Sequence, residues 1–172
     1  ANETQTVDGG KNKTALTNET LVVGGKRSIT TGSDHTTEAK NNRSLKVGAA
    51  LIDVSLNTIT ADASKLHSVL VGGAMIKITT ETLNEDVGKA TIATVGGIKL
   101  EVAKEKRTLD VRKVLFETVG GAMLFEAEKR YLDVADKSNE WVSGDVLEAK
   151  APVVFIEAID KIELVVGGGK IV

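Results

Sequence analysis

Glycine stands at every multiple of 24 in this chain: Gly24, Gly48, Gly72, Gly96, Gly120, Gly144 and Gly168. The tripeptide Val-Gly-Gly starts at Val23, Val71, Val95 and Val119, and Val47-Gly48-Ala49 is the same motif with one change. A fixed period is the feature to settle first, because each repeat must be one structural unit that stacks on its neighbours. The 24 divides into three eights. When each octad is numbered to end on a multiple of eight, 15 of the 17 glycines occupy its last position or the position after it, and only Gly10 and Gly167 do not.

The residue before each octad mark runs Val7, Ala15, Val23, Thr31, Ala39, Val47, Ser55, Ala63, Val71, Thr79, Val87, Val95, Ala103, Val111, Val119, Ala127, Ala135, Ser143, Ala151, Ile159, Gly167. None is charged, although 27% of the chain is. A track that rejects charge and bulk is buried and narrow, so Val7, Val23, Val47, Val71, Val95 and Val119 are assigned to an interior track. A second quiet track lies four residues after each mark. It begins with Asn12, Thr20, Ser28, Thr36 and Ser44 and becomes Ile52, Ile76, Ile92, Leu100, Phe116, Leu124, Leu132, Ile156 and Leu164. Both tracks are expected inside, polar early and apolar late. The chain therefore reads as one repetitive shaft over 1–172, with more polar turns in 1–50 and more apolar turns in 51–172.

An octad holds a strand of about six residues and a two-residue corner. Glycine at the corner is expected to supply backbone angles closed to other residues. Val, Thr and Ile suit the strand between. Three strands close a triangle, which makes three octads one turn. Helix propensity is high in Glu101–Arg107 and Glu126–Arg130, but the octad phase runs through both, so strand is expected there too. The fold class is all-β. Two architectures share this turn: a triple-stranded β-helix of three intertwined chains, and a single-chain, three-sided parallel β-solenoid.

Charge excludes little chemistry but some partners. With 22 basic and 24 acidic residues, there is no electrostatic case for nucleic acid. There is no cysteine, hence no disulfide framework and no thiolate metal site. The longest aliphatic and aromatic run near the end, Val153 to Ile156, is far too short to span a bilayer. The polar start, Ala1-Asn2-Glu3-Thr4, reads as the beginning of a fragment excised from a longer protein.

The segments Thr6-Val-Asp-Gly-Gly10, Glu19-Thr-Leu-Val-Val-Gly-Gly25 and Glu117-Thr-Val-Gly-Gly121 resemble the C-terminal spike of VgrG proteins of type VI secretion systems. They are also similar to the needle of cell-puncturing proteins in contractile-tail phages, a family that repeats Val-x-Gly every eight residues. The resemblance implies an intertwined homotrimer, a shaft without catalytic residues or cofactors. It also implies a PAAR-type protein capping the C-terminal end, near Lys170, Ile171 and Val172, with tube or effector proteins as further partners. It implies assembly in the cytoplasm followed by secretion on injection, or a place in a virion tail. Ala103, Ala127 and Ala135, and the charged pairs Lys104-Glu105 and Arg112-Lys113 at marks where the family has glycine, predict less regular middle and late turns.

Other chemistry gives way to plainer readings. His35 and His67 share one octad phase, which would suit a metal at a threefold axis, but a surface histidine or one with its hydrogen bonds satisfied fits better. Asp133 and Asp136 read as solvated carboxylates, and Lys, Glu and Asp in general as the soluble outer surface of a rod. Trp141 is expected to fill a wide late turn. The competing function is a monomeric solenoid that adheres to, or cleaves, surface polysaccharide.

Overall fold

The computed structural model describes residues 1–135, 137–144 and 146–167. Among them there is no helix. Twenty-one strands, β1 (Glu3–Val7) to β21 (Lys161–Val166), follow one another with corners of two or three residues. They form three seven-stranded sheets, which enclose a triangular prism. Sheet A begins with β1, β4 (Arg27–Thr31) and β7 (Leu51–Ser55), sheet B with β2 (Lys11–Ala15) and sheet C with β3 (Glu19–Val23), each taking every third strand. All pairing among the described residues is parallel, and as far as Lys150 each strand residue pairs with the one three octads on in the same chain, as in Met75↔Lys99 and Val95↔Val119. The chain is thus a parallel β-solenoid of seven turns. The helix-prone segments lie in β13 (Lys99–Ala103), β14 (Lys106–Val111), β16 (Met123–Ala127) and β17 (Arg130–Ala135).

Parity explains which side chains enter the prism. Alternate residues of a strand face the same way, so a small residue packed inward just before each corner fixes the two positions two and four residues earlier as inward too. β5 (His35–Ala39) shows the pattern: His35, Thr37 and Ala39 are buried, while Thr36 is half-buried and Glu38 exposed. Val23, Val47, Val71, Val95 and Val119 are buried, and Val7, in the open first turn, is half-buried. As far as Glu148 the second quiet track has the opposite parity and faces outward, whereas Ile156 and Leu164, in the last turn, pack against the core as expected. Ser28, Ile52, Ile76, Leu100, Phe116, Leu124 and Leu132 are half-buried on the outer surface, and Ile92 is exposed there. Residues an odd number apart on one flat strand cannot both be inside, and no corner before the one at Pro152 reverses the parity.

The corner glycines answer a need for space rather than for unusual angles, since no described glycine has a positive φ. Strand edges stack so closely that a Cβ on Gly73 would lie 2.7 Å from the carbonyl oxygen of Ala49. One on Gly48, Gly72, Gly96, Gly120 or Gly144 would overlap the carbonyl oxygen of the preceding corner. Gly24 sits in the first turn, where the nearest atom, the Ala1 nitrogen, is 3.8 Å away, and Gly168 lies outside the described residues.

The middle turns keep their register despite the alanine and charged octads. The departure comes later, at the chain's single proline. The connection from Lys150 in β19 (Leu147–Lys150) to Val153 in β20 (Val153–Ala158) is one residue shorter than the one beneath it. Glu126 still pairs with Lys150, but Arg130 pairs with Val153 and Ser143 with Val166, one position short of three octads. Ala158 and Val166 thereby take the inward places assigned above to Ile159 and Gly167. Ile159 is 78% exposed, and Gly167 stacks on Gly144 as the last described corner glycine.

Substituting Gly96 by Ala is expected to lower the unfolding free energy by about 3 kcal/mol, as overpacking against a fixed backbone does. Gly9→Ala, where nothing lies within 4 Å of the added carbon, should change it by less than about 0.5 kcal/mol. Urea melts of the two variants check this.

Candidate functional site

The inward parity brings charged side chains into the prism, where composition alone would place them outside. In the upper turns Arg27 Nε lies 3.0 Å from Glu3, Arg43 Nε 3.0 Å from Glu19, and Lys13 Nζ 2.8 Å from the same Glu19. His35 Nδ1 is 2.8 Å from Asp53 Oδ1. Arg43 donates to His67 Nε2 at 2.9 Å, which leaves the proton of the neutral ring on Nδ1, 3.7 Å from Glu85 Oε2. Both histidines are therefore structural. Among the described residues no three His, Asp or Glu side chains form a metal site.

Lower down the pairs join into one chain of contacts. Lys77 pairs with Glu85 and reaches to 3.8 Å from Glu101. Lys99 Nζ stands 3.3 Å from Glu101 and 2.6 Å from Glu117. Arg107 holds Glu101 at 2.9 Å and Asp133 on the next strand of sheet B. Asp133 also accepts a 2.8 Å hydrogen bond from Tyr131, so it is a buried ion partner, not the solvated carboxylate expected. Asp136 lies outside the described residues.

Below this network Phe125, Tyr131 and Trp141, one from each sheet, close the sixth turn with ring centroids 5.3 to 5.9 Å apart. Trp141 is fully buried and fills the late turn, as expected. The cations of Lys99 and Arg107 each lie 4.9 Å from the Phe125 ring centre, so the ionic and aromatic layers are in direct contact.

Burial and pairing set the protonation of these groups. Burial would raise the Glu101 carboxyl, but Lys99, Arg107 and Lys77 outweigh it and hold the group down to about 2. Glu85 is likewise held well below the usual carboxylate range, against burial, by Lys77, His67 and Lys99. Burial lowers the Lys99 ammonium, yet Glu101 and Glu117 keep it above its ordinary value. His67 is depressed to about 3, first by burial and then by Arg43.

The outer surface differs from face to face. Sheet B stacks Glu38, Asp62 and Asp86 in register with Asp110. A shallow groove of about 260 Å³ there is lined by Glu38, Asp62, Asp86, Ser64, Gly88 and Arg112. Partial burial, together with Asp86 and Glu38, raises the Asp62 carboxyl. The middle strands of sheet A are aliphatic outside. At the C-terminal end the seventh turn leaves Val154, Phe155, Ile162 and Val165 at 38% to 48% exposure. Lys170, Ile171 and Val172, the expected contacts for a tip protein, lie outside the described residues. No protein-family model, curated protein or solved structure matches the chain.

The inward charges left a signal in the sequence. Glu3, Lys11, Glu19 and Arg27 share the octad position four before the small residue, and the parity rule alone places that position inside.

Acid should destabilise the fold in two stages. His67 remains unprotonated in the folded state down to about 3 but titrates near its ordinary value when unfolded. Its contribution is complete above about 6.5 and falls away between there and 3 by roughly 1 kcal/mol per pH unit. Glu85 and Glu101 add to the loss below their unfolded values, near 4.5. His67→Gln, which keeps an acceptor for Arg43, should flatten the slope between pH 6 and pH 5 in denaturant melts. Lys99→Met should cost about 3–5 kcal/mol by stranding Glu117, and adding Glu117→Leu should recover most of that loss.

Proposed function

We propose that the chain is a non-catalytic shaft segment of a spike of the kind it resembles, borne by a contractile secretion or phage-tail apparatus, that works by stiffness. The observation that supports this reading is loop-free construction. Successive strands of the described residues are joined by two or three residues, so the prism has no long loops of the kind on which catalytic clefts are usually built.

Length bears on assembly. Seven stacked strands of a single coil rise about 30 Å, less than a bilayer with its headgroups, about 40–45 Å. Intertwined in a homotrimer, each strand would pair with an octad of another chain, and the same residues would climb three times as far, about 100 Å. That is the form a puncturing needle needs. A PAAR-type protein on the apolar C-terminal end, and tube or effector proteins, complete the apparatus, which is assembled in the cytoplasm and driven outward.

A second reading is favoured by the outward side chains, which sort with the full turn of three octads. Ile52, Ile76, Leu100 and Leu124 share sheet A, whereas Thr36, Thr60, Asn84 and Thr108 share sheet B. An intertwined trimer would mix all octads on every face. Distinct faces suit a single-chain solenoid acting as an adhesin or polysaccharide-binding module.

Light scattering, with boiled and unboiled samples on a denaturing gel, tests the two. A particle of three times the 18.1 kDa chain mass that resists detergent until boiled is expected of the intertwined spike. A particle with the mass of one chain overturns it.

A further inference from the structure

The three middle rows of sheet A invert the usual arrangement of a half-buried sheet. Inside the prism they place Asp53, Lys77, Lys99 and Glu101 beside Leu51, Met75 and Ala103; outside they place only aliphatic side chains, Ile52, Val54, Ile76, Ile78, Leu100 and Val102. The outward residues lie in register, Ile52↔Ile76↔Leu100 and Val54↔Ile78↔Val102, so they form one flat block of six aliphatic side chains. Monomers rarely leave such a block open to water, and a strand that spends its aliphatic side chains on the outer face needs that face covered too.

We infer that the outer face of sheet A is an interface with a second copy of this chain, packed face to face about a twofold axis. This rests on the pairing of each strand within its own chain, the single-coil form. The block is centred on β10 (Met75–Thr79), which is the middle strand of its sheet. A twofold axis between the two faces, running over β10 and parallel to it, lays the Ile76 and Ile78 row on its own copy and the Ile52 and Val54 row on the Leu100 and Val102 row. Such an isologous contact needs a surface complementary to itself, and aliphatic rows of equal spacing provide one.

The surroundings make a polar rim. Ser28 and Thr30 flank the block on one side. On the other, Leu124 extends it before Glu126, Glu148 and Lys150 end it. A whole face of seven strands and five residues is about 500 Å² in plan, so two faces cover about 1,000 Å², the threshold for a specific contact. Sheet B cannot serve in this way, because its stacked carboxylates would meet their own copies.

Two measurements decide it. Light scattering of a concentrated solution should give twice the 18.1 kDa chain mass for the natural chain. It should give the mass of one chain for Ile76→Thr/Ile78→Lys, with the circular dichroism unchanged. In a chain without cysteine, Ile78→Cys should oxidise to a covalent dimer rapidly, and Thr94→Cys on sheet C should not; this arm stands even if the double variant misfolds. A natural chain monomeric at every concentration, or equal oxidation of the two cysteine variants, overturns the interface and leaves the single coil intact. A three-chain particle that survives detergent until boiled, unaffected by the outer substitutions, overturns the single-coil form itself.

Discussion

Everything in this prism depends on the close stacking of its corners. Adjacent turns approach until the carbonyl oxygen of one corner occupies the place where a Cβ of the next would be, as at Gly48, Gly72 and Gly96. At the corners that lead from sheet C into sheet A such contact tolerates only glycine, and just before the corners it favours a small residue. As far as Lys150 it locks successive turns at three octads, because a slip of one position would set side chains where only backbone fits. It also fixes the parity of each strand, since the small residue must face inward and alternation then dictates the rest.

That parity is imposed whatever the sequence places at the other inward positions, and the ionic core follows from it. Lys77, Lys99, Glu101 and Asp53 are inside because the corners put them there, while aliphatic neighbours are forced out. Isolated charges could not remain at such depth. The chain meets the constraint by spacing opposite signs one turn apart along a sheet, as in Glu19 and Arg43, or on neighbouring sheets, as in Lys99 and Glu117. Pairs of this kind contribute little net stability against an apolar core, but they define which turn can lie on which. Apolar turns would stack equally well in several orders, whereas a lysine displaced from its glutamate is penalised.

The sequence displays the constraint openly and its consequences less so. Octads, the three-octad turn, the all-strand character and the narrow inward track are all legible because corner contact excludes everything but a few small residues. The second quiet track misleads. Ile76 and Leu100 look like core residues by composition, yet their parity turns them outward. The buried charges are hidden for the converse reason, since Lys99 and Glu101 look like surface residues until their alternation with Ala103 is followed back along the strand. The slip at Pro152 is invisible in a count of glycines, because Gly167 and Gly168 are adjacent and the wrong one keeps the phase. It emerges only from pairing, where Lys150 and Val153 stand on Glu126 and Arg130.

One local chemistry serves two assemblies, and the outer surface is where they part. An octad with a small inward residue and a glycine corner stacks as well on its own chain three octads on as on another chain one octad on, so corners and interior leave the chain count open. Outward residues touch neither stack, and they acquire a period only from the face they share. In an intertwined trimer each face receives every octad in turn, and nothing would sort aliphatic residues from carboxylates. Here Ile52, Ile76, Leu100 and Leu124 fall on one face and Glu38, Asp62, Asp86 and Asp110 on another. A period of one full turn outside the prism, where no packing within one coil requires it, is what separate duties for separate faces would leave in a sequence. The sides of the prism are chemically unequal.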